Sequence, residues 1–288
     1  MKEIPQILLE NISFAYPNGT KALKNINLKI YKNELIGVMG KNGAGKTTLI
    51  RTLNGLIHPT KGSIYLFGEN INSKSIANLS KKVGIIFQNP MHQLFANSVE
   101  DEIRFSLKSL DLTKEEINLR IGRILKEFNL EKFRSRSPLS LSGGETKKLA
   151  LASILCRNPE ILIFDEPTLG QDGREIEFLT ELIKIERENG KTIIIVTHNI
   201  EFAIEYIPRT IFMVDGQIVA DGPTINLFNN KYLVEKVSLI QPQIYKFISV
   251  LNEQGFNIPQ SSMSKDLIVE FIKNYVTSKI NDKMEGSY

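Results

Sequence analysis

The chain has 288 residues, of which 42% are hydrophobic and 24% charged, a composition typical of a globular protein with a sizeable core. Its 36 basic residues against 32 acidic ones leave a net charge of +4, and the two signs are interspersed, which gives no reason to expect a nucleic-acid partner. The single cysteine, Cys156, excludes an intramolecular disulfide and argues against a thiolate zinc site.

The apolar runs have the length of strands or of short helices, so we expect neither a secretory signal nor a membrane span. In the first third of the chain, alternating or continuous apolar runs predict strands at residues 6–16, 21–31, 34–40, 62–70 and 82–90. The run ELIGVMG should be a buried parallel strand, and a helix should follow it over about residues 45–56.

Residues from about 98 to 157 are expected to be mostly helical. Ser98 followed by early acids is typical of a helix N-terminus. Thr113 and Glu116 have the spacing of a capping box, with apolar residues after them at helical intervals. A third helix is predicted over residues 143–158.

Strands return in the second half, at 160–166, 191–198, 210–216 and 217–222, with a helix over 174–190. This alternation predicts a parallel sheet with right-handed crossovers. From residue 223 the pattern is helical, and residues 281–288, which have no periodicity, are expected to be mobile. We therefore predict a main domain at 1–222, with a helical subdomain at about 89–157, and a C-terminal extension at 223–288.

The stretch GKNGAGKT, residues 40–47, satisfies the pattern G-x-x-x-x-G-K-[ST] between a predicted strand and a predicted helix. Glycines let backbone N–H groups converge on phosphate oxygens, and the helix N-terminus adds positive potential. Lys46 would reach the β- and γ-phosphates of ATP, and Thr47 would bind Mg²⁺. The alternative is a flexible turn. The predicted cradle comprises Gly40, Lys41, Asn42, Gly43, Ala44, Gly45, Lys46, Thr47 and Thr48.

Two acids end the predicted strand ILIFDE, where ligands bind in open α/β sheets. Asp165 would hold the Mg²⁺, and Glu166 would polarise the attacking water as a general base. The alternative is a pair of solvent-facing acids after a core strand.

The segment LSGGE places Ser142, Gly143, Gly144 and Glu145 at the start of a predicted helix, a second anion site. One nucleotide does not need two such helix ends on opposite sides of one chain, whereas two facing chains would each lend this segment to the ATP of the other. The alternative is a capped helix whose glycines serve only the turn.

The order of the P-loop, a lone glutamine after a strand, LSGG, DEP and a histidine after TIIIVT resembles the ATP-binding-cassette (ABC) ATPases over about residues 5–222. The resemblance implies an α/β P-loop NTPase fold: a RecA-like parallel core, an antiparallel β subdomain and an α-helical subdomain. It implies that Tyr16 stacks on adenine, Gln88 touches Mg²⁺ and the attacking water, His198 contacts the γ-phosphate, and Asp172 crosses the dimer interface. The catalytic set is then Lys46, Gln88, Glu166 and His198, and the metal set is Thr47, Gln88 and Asp165.

Two positions depart from the family pattern. Glu145 replaces a glutamine after LSGG, and Gln171 replaces a leucine before Asp172. Both could alter coupling between the two sites, but neither removes a catalytic group. His58 and His92 have no comparable context and are interpreted as ordinary residues.

The stretch FQNPMHQLFANSVEDE resembles the energy-coupling-factor (ECF) branch, which includes cobalt, nickel and vitamin uptake systems. The resemblance implies a second ATPase subunit, identical or paralogous, and two membrane partners, one for coupling and one for substrate binding. It implies a peripheral place on the cytoplasmic face of the cell membrane, and a C-terminal extension that pairs the ATPase subunits. A conventional ABC importer, an ABC ATPase without a transporter and a nucleotide sensor without turnover stay open.

Overall fold

The computed structural model describes residues 4–89, 91, 93–239, 243–256, 258 and 269–277. Among these residues, no helix has the length and apolar character needed to cross a lipid bilayer. The strands are β1 (Ile7–Ala15), β2 (Lys21–Ile30), β3 (Leu35–Met39), β4 (Lys61–Leu66), β5 (Glu69–Asn70), β6 (Val83–Ile86), β7 (Ile161–Asp165), β8 (Thr192–Val196), β9 (Arg209–Val214) and β10 (Gln217–Pro223).

The larger sheet has the order β10-β9-β3-β8-β7-β6. Strands β3 and β6–β9 run parallel, and β10 folds back antiparallel to β9. Every residue of β3, β7 and β8 is buried, because both faces of the sheet are covered. The carboxyl ends of β3, β7 and β8 therefore lie side by side along one edge.

The smaller sheet is antiparallel, with the order β2-β1-β4-β5. The side chains of β3 and β8 alternate between two cores: Ile36 and Ile194 pack towards the antiparallel sheet, whereas Leu35 and Ile193 pack among the helices. The period of two along each strand thus joins the two layers.

The helices are α1 (Lys46–Leu53), α2 (Ile76–Leu79), α3 (Val99–Leu107), α4 (Lys114–Glu127), α5 (Gly143–Leu155), α6 (Gly173–Glu188), α7 (Ile200–Tyr206), α8 (Thr224–Asn229), α9 (Lys231–Lys236) and α10 (Gln243–Glu253). A further helix, α11, covers residues 269–277. The capping box of Thr113 and Glu116 is present at the start of α4, and Ser98 caps α3, as predicted. Helix α1 ends three residues earlier than predicted, because the chain turns at Gly55 with φ of 76°.

The described part of the C-terminal stretch is mainly helical. Ile248 of α10 and Ile258 form a small apolar cluster with residues of α11. The expectation of a mobile tail at 281–288 lies outside the described residues, as does His92.

Candidate active site

The loop between β3 and α1 bends through three glycines with positive φ: Gly40 at 150°, Gly43 at 80° and Gly45 at 99°. A Cβ on Gly40 would lie 2.1 Å from the carbonyl oxygen of Met213, and one on Gly45 would lie 2.4 Å from that of Ala22. Only glycine fits these two positions, because both neighbouring atoms belong to the backbone of sheet strands.

The turn between β9 and β10 braces this loop. The Gly216 N–H donates to the Ala44 carbonyl at 3.1 Å, and the Gly216 carbonyl accepts the Lys24 N–H at 2.8 Å. Lys41 Nζ lies 3.2 Å from a carboxylate oxygen of Asp215 in the same turn. The turn that holds the cradle in shape is thus more than 170 residues further along the chain, a contact that the local pattern of residues 40–47 does not predict.

Lys46, the first residue of α1, is buried under the loop. Its Nζ donates to the carbonyl oxygens of Gly40 at 2.7 Å and Lys41 at 3.2 Å. Burial lowers the pKa of the ammonium, and the nearby carboxylates of Glu166 and Asp165 act in the opposite direction. The ammonium thus stands between the loop and two acids, where it could bind phosphate oxygens.

Tyr16 lies beside the start of α1. Its hydroxyl is 3.0 Å from Thr48 Oγ1, and its ring meets Phe14 edge-on with centroids 5.0 Å apart. The ring is half-buried and held from two sides, so it could present an aromatic surface next to the loop.

Asp165 and Glu166 stand at the carboxyl end of β7. Asp165 is buried, and its pKa is raised by that burial and by the charge of Glu166, against the effect of Arg51 and Lys46. Glu166 has φ of 52°, a strained value for this residue type, and its N–H donates to Val196 of β8 at 2.8 Å. The bond to β8 turns the chain so that Glu166 reaches towards the residues after that strand.

His198 follows β8 and meets Glu166. Its Nδ1 lies 2.8 Å from Glu166 Oε2, and its backbone N–H donates to the same oxygen at 3.2 Å. The imidazole is 55% exposed, whereas the Glu166 side chain is 12% exposed. The Glu166 carboxylate at the edge of the sheet is thus bonded to the solvent-exposed imidazole of His198, so that ring could contact a ligand bound at this edge.

The oxygen donors proposed for Mg²⁺ are Thr47, Gln88 and Asp165. Thr47 is in the first turn of α1, Asp165 is at the end of β7, and Gln88 is exposed two residues after β6, the strand next to β7. Hydroxyl, amide and carboxylate oxygens suit this hard cation. In the described part of the chain no three His, Cys, Asp or Glu side chains form a metal cage.

The LSGGE segment forms a separate group. Ser142 caps α5, and the capping box is closed because Glu145 Oε2 accepts the Ser142 N–H at 2.9 Å. Asp172 is the N-cap of α6, and its side chain accepts the Glu175 N–H at 2.9 Å. Between the two helices lies a cavity of about 370 Å³ lined by Ser142, Gly144, Glu145 and Asp172, and by no residue of 40–48 or 165–166. The cavity that Ser142 lines is thus formed without the phosphate loop.

The same geometry accounts for one departure from the family pattern. Glu145 fills the acidic position of a capping box, a place that glutamine can also occupy, and hydrogen bonds from Ser142 lower its pKa. Gln171 is different, since its Oε1 is buried without a hydrogen-bond partner among the described residues. Nothing in the structure explains Gln171.

Sequence reasoning missed Glu102, which is 2% exposed and binds the loop before α3. A signal was present, because Glu102 lies three residues after buried Val99 and next to buried Ile103, on the apolar face of α3. An acid on such a face requires a partner.

The phosphate cradle, the acids at the sheet edge and the capped LSGG helix define an ATP-binding cassette. The ABC transporter family model matches residues 23–169. The energy-coupling factor transporter ATP-binding protein EcfA of Methanocaldococcus jannaschii is 37% identical over 252 residues, which are 87% of this chain and 90% of that protein. The chain therefore belongs to the ABC transporter family, in its energy-coupling-factor group, which confirms the predicted family and fold class.

Two solved structures resemble the chain in both fold and sequence. One is cbiO1 from Clostridium perfringens, described as part of the ABC transporter complex cbiONQ, with a TM-score of 0.72, 33% identity and coverage of 86% of this chain and all of that one. The other is the ATP-binding cassette MJ0796, a dimer in a post-hydrolysis state bound to ADP and Pi, with a TM-score of 0.68, 30% identity and coverage of 76% and 98%.

Some relatives are much longer than this chain. The chain spans 44% and 43% of the putative ABC transporter ATP-binding proteins of Methanosarcina mazei and Methanosarcina acetivorans, at 38% identity to each. The domain boundaries at residues 222 and 223 and the role of each site residue stay predictions.

Proposed function

We propose that this chain is the ATP-binding and ATP-hydrolysing subunit of an ECF-type importer for a vitamin or a transition-metal ion. The contact between Glu166 and His198, at the sheet edge next to buried Lys46, is the observation that carries the proposal. Other known phosphate-loop sites need a positioned acid or amide to orient water, and this one has an acid held by a second group.

ATP fits the cradle because Gly40 and Gly45 bring the loop backbone close and Lys46 supplies a buried ammonium. Mg²⁺ fits as well, since Thr47, Gln88 and Asp165 all offer oxygen donors, and a cation would offset both the burial and the Glu166 charge that raise the pKa of Asp165. When bound, the ion neutralises charge that develops on the phosphate oxygens. Tyr16 would provide the surface for the adenine ring.

Four side chains of the chain then have separate roles in ATP hydrolysis. Glu166 accepts a hydrogen bond from the attacking water and draws its proton. His198 contacts the Glu166 carboxylate through Nδ1, which leaves Nε2 on its exposed edge to contact the γ-phosphate. Lys46 binds phosphate oxygens and balances the two neighbouring acids, and Gln88 faces the same region from the adjacent strand.

The site is completed by a second subunit, identical or paralogous. Ser142 and the N-terminus of α5 would form an anion site, and the cavity that Ser142 lines together with Asp172 includes no residue of their own chain's loop. The dimeric state of the related cassette MJ0796 supports this arrangement. Two facing subunits would each offer Ser142 to the γ-phosphate bound by the other, and loss of that phosphate would let them separate.

A membrane partner would dock on a groove of about 520 Å³ beside Gln93 and Phe95. Phe95 is 65% exposed and Phe105 is 52% exposed, which gives the groove an apolar wall. Gln93, Arg157 and Ser106 also line the groove, so it offers polar groups beside the apolar wall. The subunit would then sit peripherally on the cytoplasmic face of the cell membrane.

The C-terminal extension would help to pair the ATPase subunits. Phe247 and Val250 on α10 and Val269 and Val276 on α11 are all between 43% and 55% exposed. Apolar side chains in such number on two short helices favour a partner surface.

The first test compares ATP turnover and assembly of the wild type and Glu166→Gln. The variant should form a dimer only with ATP and Mg²⁺, seen by sedimentation, and should hydrolyse at least about a hundredfold more slowly. Glu181→Gln, on the exposed face of α6, is the matched control and should behave as the wild type. A wild type that hydrolyses no faster than Glu166→Gln would instead indicate a nucleotide sensor.

The second test concerns the partners. The chain should be recovered from membranes together with a coupling membrane protein and a small substrate-binding membrane protein. Recovery with a conventional permease would assign a different importer type, and recovery with ribosomes or DNA alone would refute the transport function.

A further inference from the structure

The loop that forms the docking groove is attached to helix α3 by one buried side chain. Glu102 Oε2 accepts the backbone N–H groups of Phe95 and Ala96, each at 2.9 Å. The Phe95 ring also meets Phe105 of the same helix edge-on, with centroids 4.7 Å apart. The groove wall and α3 are therefore joined by two charge-assisted hydrogen bonds and one aromatic contact.

The other side of α3 is attached to the segment that leads to Ser142. The N–H groups of Val99 and Glu100 donate to the carbonyl oxygens of Arg136 at 2.9 Å and Arg134 at 3.0 Å. From there, only Ser137, the short helix Pro138–Ser140 and Leu141 separate Arg136 from Ser142. Movement of α3 would thus be passed to the start of α5 through very few residues.

Arg134 strengthens this second attachment through the side chain of Glu100, which Arg104 of the same helix also binds. Glu100 accepts from Arg134 through both oxygens, at 2.6 and 3.0 Å, and from Arg104 at 2.6 Å. The two-pronged bond fixes direction as well as distance. Helix α3 is therefore tied to the groove by Glu102 and to the Ser142 segment by Glu100, two residues apart on one helix.

We propose that α3 links the docking groove to Ser142 at the start of α5. Glu102 is the positioning residue that attaches the groove loop to α3. A groove loop displaced by a partner would move α3 through Glu102, and α3 would move the segment before Ser142. Linkage requires the reverse as well, so capture of Ser142 by the ATP of a facing subunit changes the groove. This inference rests on the proposed ATP-dependent dimer.

The test uses the full chain with Glu166→Gln to accumulate the dimer, and Ala77→Cys, at an exposed residue of the groove, to attach an environment-sensitive dye without removing the Phe95 ring. Cys156 is buried, so the dye should label position 77 selectively. Addition of ATP and Mg²⁺ should change the dye emission in parallel with dimer formation measured by sedimentation. Glu102→Met, which fills the space but removes the acceptor, should reduce the emission change at least fivefold while the dimer still forms.

Three further variants separate a link from a loss of folding. Glu102→Gln keeps a weaker acceptor and should restore part of the emission change, and Glu115→Gln, on the exposed face of α4, should leave it as in the parent. Arg134→Gln removes the bond to Glu100, which attaches α3 to the segment before Ser142, and should at least halve the emission change. Because Arg134 is half-exposed, this variant tests the proposal even if Glu102→Met does not fold.

The outcomes distinguish the two proposals. Absence of an ATP-dependent dimer in the parent would overturn the proposed function and this inference with it. A dimer without any emission change in the parent, or with the same change in Glu102→Met and Arg134→Gln, would overturn only the link.

Discussion

The phosphate loop allows a graded prediction, because its glycines are required for different reasons. Gly43 has φ of 80° but nothing within 4 Å of the place where a Cβ would stand, whereas Gly45 combines φ of 99° with a Cβ position 2.4 Å from Ala22 O. In Gly43→Ala only the backbone conformation is unfavourable, at about 1–2 kcal/mol. In Gly45→Ala the overlap adds about 1–3 kcal/mol, because a strand backbone cannot rotate away as a side chain can.

Thermal unfolding followed by circular dichroism, without nucleotide, measures the difference. For a chain of this size, each kcal/mol shifts Tm by about 2–4 °C. Gly43→Ala should therefore lower Tm by a few degrees, and Gly45→Ala should lower it about twice as far. Gly122→Ala on α4, with no positive φ and open space around it, is the control and should not lower Tm. Equal losses of Tm for Gly43→Ala and Gly45→Ala would refute the argument that the phosphate loop packs closely against the backbone of β2.

Three other changes can be tested with the same protein. ATP and Mg²⁺ at a hundred times Kd should stabilise the wild type by about 2.7 kcal/mol and so raise its Tm. Lys46→Met removes the buried ammonium, so this rise in Tm should disappear; an undiminished rise would refute the role of Lys46 in binding. Bonds from Arg134 and Arg104 hold the pKa of Glu100 at about 2, below its ordinary 4.5, so its stabilisation is complete above pH 4.5 and is lost as the pH falls towards 2. Glu100→Gln should thus cost about 1 kcal/mol at pH 7 and little at pH 2, by urea unfolding across that range; a loss independent of pH would contradict this. Burial raises the pKa of the Cys156 thiol to about 12, so a thiol reagent should label the folded chain at least a hundredfold more slowly than the urea-unfolded chain, and comparable rates would show that α5 opens readily.

Several features could be predicted from the sequence because they depend on residues close together along the chain. The glycines and lysine of residues 40–47, the capping box of Thr113 and Glu116, and the apolar strands that end in Asp165 or precede His198 all have local patterns. Hydrogen bonds within a turn and the period of a strand connect neighbours a few residues apart, so the pattern and its physical cause lie in the same short segment.

Contacts between distant segments required the tertiary structure. The bond between Glu166 and His198 depends on β7 and β8 being adjacent, and the brace on the phosphate loop depends on β9 lying beside β3. The two hydrogen bonds that Glu102 accepts are local along the chain, but their value comes from burial under other helices. No short pattern specifies the order of strands in a sheet or the depth of a side chain, because both result from packing the whole chain at once.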